Sequence, residues 1–196
     1  MKKDRQQEYR EICVGDVVTW KNYIRKCIEE VPNRERGKYL SSVWAELQTT
    51  DFVTAPASTH YHHAYDYGLL KHTCETMALA LSYDQACLAH IFYQEMITCA
   101  LLHDYGKVGK YDRNDAKKGH PFLYVPREAV LSDQIRSILY AYKRIPDIAE
   151  QEIFAILYHD GLYPNDNNAL KNNETPLTMI LHWADMWSAR MDQFGW

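Results

Sequence analysis

Apolar residues recur at helical spacing along most of the chain, and the runs are separated by Pro, Gly and Asn/Asp-rich stretches. Over 16–30, Val17, Val18, Trp20, Tyr23, Ile24 and Cys27 alternate with charges, which predicts an amphipathic helix ended by Pro32. A second such run over 34–47 uses Leu40, Val43, Trp44 and Leu47. From 49 to 58 the composition is that of a loop, and Pro56 bars helix at the residue before it. Leu70, Cys74, Met77, Ala78 and Leu81 then predict a helix over 69–83, and the long apolar run through Leu88, Ile91, Phe92, Met96, Cys99 and Leu102 predicts another over 85–104. Gly106 fits the left-handed position that follows a helix C-terminus. Pro126 reads as the first-turn proline of a helix running to about 142, and Pro146 as the opening of one leading to His159-Asp160-Gly161. After an Asn/Asp-rich loop, Thr175 caps a last helix with Pro176 at its first position. No alternating strand exceeds a few residues, so the pattern predicts an all-α bundle of about seven helices.

Composition adds boundaries to this picture. A chain of 196 residues suits one domain, here read as a domain over 51–196 with an N-terminal helical extension, 1–50, packed on it. The formal net charge of -4 supplies no global attraction for a nucleic-acid backbone, which argues against strong duplex binding. Five Cys, odd in number and without CxxC spacing, suggest neither a disulfide framework nor a thiolate zinc site. No apolar leader follows the charged N-terminus and no window is long enough to span a bilayer, so a cytoplasmic protein with no membrane partner is expected. Oligomeric state is left open.

The candidate chemistry lies in His and Asp residues set in or at the ends of apolar helices. His72, His103 and Asp185 occupy such helices, where an imidazole or carboxylate costs free energy unless paired. Asp185 is flanked by Ala184 and Met186 and surrounded by Ile180, Leu181 and Trp187, so a buried carboxylate there calls for a cation. Asp104 follows His103, and Gly106 leaves Lys107 just past the helix end, beside a basic run of Lys107, Lys110, Arg113, Lys117 and Lys118. His120 and His159 are further imidazoles at loop or helix-end positions, while Asp160 reads as a turn residue. His60, His62 and His63 form the densest imidazole cluster; His62 or His63 is read either as a group facing substrate or water, or as a structural one.

The series His72, His103-Asp104-x-Gly106-Lys107 and Asp185 resembles the HD superfamily of metal-dependent phosphohydrolases, an all-helical fold. The segment Ala55-Pro-Ala-Ser58 followed by His62-His63-Ala-Tyr65 and Gly68-Leu-Leu-Lys-His72-Thr is similar, more narrowly, to HD domains of 3′–5′ exoribonucleases and of relaxase-like proteins from conjugative elements. The resemblance covers about 52–192. It differs at Tyr67, where the family usually has Gly, and at Lys71, where Glu usually precedes the His.

The resemblance implies an HD-type helical bundle in which His72, His103, Asp104 and Asp185 hold a first divalent metal. His120 and His159 would serve a second, with Asp104 bridging. It also implies a metal-activated water that cleaves a phosphate ester or diester of a nucleotide or short single-stranded oligonucleotide. Mixed imidazole and carboxylate donors suit Mn, Fe, Co, Ni or Zn. Lys107, Asp104, His62 and His63 are the expected catalytic groups. Lys71, Lys110, Arg113, Tyr65 and Arg190 are the expected substrate contacts. Two rivals remain at this level: an HD-type di-iron oxygenase using the same ligands, and a non-catalytic nucleotide-binding module.

Overall fold

A computed structural model describes residues 4–114, 121–125, 131–162 and 167–195. Among them are eight α-helices and one two-stranded antiparallel ribbon, so the chain is all-α. The helices are α1 (Arg5–Val14), α2 (Val17–Glu29), α3 (Arg34–Leu47), α4 (Gly68–Cys87), α5 (Tyr93–Leu102), α6 (Asp133–Arg144), α7 (Glu150–Leu157) and α8 (Pro176–Phe194). The ribbon pairs β1 (Tyr111–Arg113) with β2 (Phe122–Tyr124), Arg113 opposite Phe122.

Helix α4 is central: it is buried on nearly every side from Gly68 to Leu81, its polar residues included. It packs against α1, α2, α5 and α8. Helix α5 is similarly enclosed from Glu95 to Leu102. One core runs through Ile24, Leu40, Leu47, Leu70, Met77, Leu101, Ile156 and Leu181, so the first three helices share it with the rest. No helix among the described residues is long and apolar enough to cross a membrane.

Several boundaries differ from expectation for local reasons. Helix α1 carries a weak apolar period, with only Ile12 buried, and is started by Asp4, whose carboxylate accepts from Gln7 N at 3.0 Å. The run over 85–104 is not one helix. Asp84 ends α4 by accepting from the backbone N–H of Leu88 and, through its carboxylate, of Ile91 at 3.0 Å. Leu88 and Phe92 are therefore exposed although their spacing matched the helix. Ser132 caps the sixth helix, which starts at Asp133; Pro126, expected in its first turn, lies outside the described residues. Pro146 sits in a turn, and α7 starts four residues later, where Glu152 accepts from Ala149 N at 2.8 Å. The last helix begins as expected, with Thr175 Oγ1 accepting from Thr178 N at 3.2 Å.

Candidate metal centre

Helix ends deliver most of the site. His103 is the C-terminal cap of α5, and its ring folds back so that Nδ1–H donates to the Ala100 carbonyl at 2.9 Å. His159, just past α7, does the same to Ile156 at 2.7 Å. Carbonyls only accept, so each ring carries a proton on Nδ1 and turns Nε2 towards the site. His72, one turn into α4, has Nδ1 on Ser188 Oγ at 2.9 Å. Helix α8 contributes Asp185 and Ser188 from one face.

The Nε2 atoms meet two carboxylates. His72 Nε2 lies 2.9 Å from Asp185 Oδ1 and 3.5 Å from Asp104 Oδ2. His103 Nε2 stands 3.6 Å from Asp104 Oδ2, 3.7 Å from Asp185 Oδ1 and 3.4 Å from His72 Nε2. Donors that share one ion at about 2.0–2.2 Å stand about 3 to 3.5 Å apart, so this spacing and this nitrogen-and-oxygen chemistry fit a divalent metal. The other oxygen of Asp104, Oδ1, faces His159 Nε2 at 3.5 Å. His159, Asp160 and Asp185 make a second group with donor atoms within 4.8 Å of one another. Both His-Asp dipeptides of the chain thus reach the same place.

Charges are set by this convergence. Burial opposes ionisation of Asp104 and Asp185, but Lys107, His103 and His159 around the first, and His72, His159 and His103 around the second, hold both carboxyls below the usual range. Burial pulls His103 down to about 4. His159 is buried as well, yet Asp160, Asp104 and Asp185 outweigh that and raise it to about 10. Lys107 Nζ donates to Asp104 Oδ2 at 2.6 Å and stays cationic despite burial, because the carboxylates raise its pKa.

A cleft of about 400 Å³ opens on these groups, lined by Asp104, Lys107, His159, Asp160, Asp185 and His62, with Tyr61, His182 and Arg190 at its sides. His182 also borders an adjoining, more apolar cleft of about 560 Å³ formed by Leu162, Met179 and Trp183.

The expected catalytic groups and substrate contacts divide. Arg190, Lys107 and His62 reach the cleft. Lys110 does not: its side chain is buried, ion-paired with Asp133 and stacked 5.5 Å over Tyr124. Arg113 also lies away from the cleft, on β1, paired with Asp66. Tyr65 donates to Asp192 Oδ1 at 2.9 Å, and Lys71 lies over its ring, 3.6 Å from Glu75 Oε1. His63 is fully buried behind His62 and bonded to Glu75, so it packs as a structural group where a substrate contact was one expectation. His120 lies outside the described residues.

Three participants are not among the expected site residues: Asp160, which reads as a turn residue, and Glu75 and Ser188. The last two carried a signal, since Glu75 follows His72 and Ser188 follows Asp185 by three residues, which puts each on the face of its expected ligand. No family model, no curated protein and no solved structure matches the chain.

Proposed function

We propose that this chain is an HD-type metal-dependent phosphohydrolase that cleaves a phosphate ester or diester of a nucleotide or short single-stranded oligonucleotide. The observation that carries the reading is the convergence of His72, His103, Asp104 and Asp185 with a half-buried cation, Lys107, on one cleft. These four side chains would hold the first ion, and His159 and Asp160, with Asp104 and Asp185 between the two groups, a second. Divalent ions bound there supply Lewis acidity at a phosphoryl oxygen and ionise water near neutral pH, chemistry that Mn, Fe, Co, Ni or Zn perform with such donors.

The chain's own residues do the rest. Lys107 and Arg190 bring positive charge to a cleft whose protein carries a net charge of -4, so anion binding is local. Lys107 is positioned by its bond to Asp104 and takes a phosphate oxygen or the leaving oxygen. Arg190 holds the far side of the anion, and His62 stands at the wall as a proton acceptor. The adjoining cleft, with Trp183 exposed in it, is of a size to take a base.

The test is phosphate release, with each metal added in turn, from nucleotides, cyclic nucleotides, dinucleotides and short oligomers. Asp104→Ala should abolish turnover of whichever substrate responds. Full activity in that variant removes the proposal. Turnover that consumes O₂ and releases no phosphate replaces it with the oxygenase reading.

A further inference from the structure

Behind the cleft runs a closed chain of hydrogen bonds that the proposed phosphohydrolysis does not by itself require. Glu75 Oε2 receives two donors: Ser188 Oγ at 2.7 Å and His63 Nε2 at 3.0 Å. Ser188 Oγ is in turn 2.9 Å from His72 Nδ1, and His63 Nδ1 is 3.4 Å from His62 Nδ1. His63, His72 and Ser188 are 0 % exposed and Glu75 is 5 %, so these groups satisfy one another with little help from water.

The carboxylate can only accept, and this gives the chain a direction. Ser188 spends its one proton on Glu75, so its oxygen must accept from His72, which therefore carries Nδ1–H and turns Nε2 to Asp185 Oδ1, 2.9 Å away. A neutral His63 spends its proton on Glu75 through Nε2, so its Nδ1 must accept from His62. His62 then carries Nδ1–H, and the nitrogen it has left for the cleft it lines is a bare Nε2. We propose that Glu75 is a positioning residue which, through Ser188 on one arm and His63 on the other, sets the tautomers of His72 and His62 together. It thereby makes one a metal ligand and the other a proton acceptor in the same cleft. The role assigned to His72 rests on the metal-centre reading; the tautomers themselves do not. Asp192 braces the second arm by accepting from the His63 backbone N–H and from Tyr65.

The tautomers are read directly by long-range proton–nitrogen NMR on metal-free protein labelled with ¹⁵N-histidine, at a pH where the free imidazoles are neutral. The wild type should show Nδ1–H for His62 and His72 and Nε2–H for His63. Ser188→Ala cuts one arm, so His72 should no longer hold its Nδ1–H, the proton being drawn to the Nε2 that faces Asp185, while His62 and His63 keep theirs. Glu75→Gln, similar in size but able to donate, should disturb His63 and His72 at once. Both variants should weaken zinc binding about 10- to 100-fold by direct titration. Nε2–H on His62, or no Nδ1–H on His72, in the wild type overturns the proposal, and so does Glu75→Gln with all three rings unchanged. Should Glu75→Gln fail to fold, the wild-type pattern and Ser188→Ala decide it. Assigned tautomers with no phosphate release from any substrate would sink the hydrolase reading and leave this one standing.

Discussion

Gly106 illustrates how a residue-level inference can name the right amino acid for the wrong reason. Its spacing suggested a left-handed cap after the helix, but it does not adopt a positive φ. It lies in the short turn between Asp104 and Val108, where a Cβ would overlap the Asp133 carbonyl at the start of α6. The glycine serves close approach of two backbones, so Gly106→Ala should cost about 3 kcal/mol in denaturant unfolding, since neither partner is a flexible side chain. Tyr67 is the converse case: it holds φ 67° and ψ 9° without being glycine, and the next residue, Gly68, has its space taken by the His63 carbonyl. The cysteines give a second prediction at this scale. Cys27, Cys74 and Cys99 are buried, and loss of hydration raises their thiol pKa values, Cys27 to about 11, while Cys87 is exposed. Brief alkylation at mildly alkaline pH should label Cys87 first by mass spectrometry, and the three buried thiols only after unfolding.

Among the elements, the long-range tie is Arg36. Its guanidinium bonds Glu152 in a fork at 2.6 and 3.1 Å, Thr98 at 2.9 Å, and both the carboxylate and the carbonyl of Asp147 at 3.0 and 2.7 Å. Helix α3 is thereby joined to α5, to the turn at Pro146 and to the first turn of α7, and α7 leads directly into His159. Removing one partner of a buried pair leaves the other uncompensated, so Arg36→Ala should destabilise by about 3 to 5 kcal/mol. Arg36→Lys should recover only part of that, because an ammonium cannot form the fork. Equal stability of wild type and Arg36→Ala in thermal and urea unfolding would remove Arg36 as the tie. This network also explains why the start of α7 was misjudged. Proline marks where a helix can begin, but Asp147 and Glu152 are drawn to a partner more than a hundred positions away.

For the whole molecule, the buried imidazoles link stability to pH, and the proposed metal centre would link it to metal. His62, His63 and His103 have pKa values lowered by burial, His103 to about 4, whereas an unfolded imidazole titrates near 6.5. The unfolded chain therefore binds more protons over that window, and metal-free protein should lose stability as pH falls from about 6.5 towards 4. His159 has the opposite sign: raised to about 10, its contribution is complete below 6.5 and is lost as pH rises through 10. Metals bind neutral imidazole, so zinc or manganese should raise Tm strongly at pH 7 to 8 and little at pH 5. A Tm that ignores both pH and metal across that range would contradict the centre described above.

Helix content was legible from the sequence alone, because a 3.6-residue apolar period is a local property, and an Asp such as Asp185 set among apolar positions stands out against it. The helix at 34–47 and the cap at Thr175 depend on neighbours within one turn, so they could be read in advance. Only the tertiary structure decided what depends on distant partners. The carboxylate of Asp133 took Lys110 out of the candidate substrate contacts, and Glu75 turned His63 inward. The second His-Asp pair became part of the site once α7 packed beside α8. A side chain's identity fixes which bonds it can make; the packing of helices far apart in the chain determines which partner is within reach.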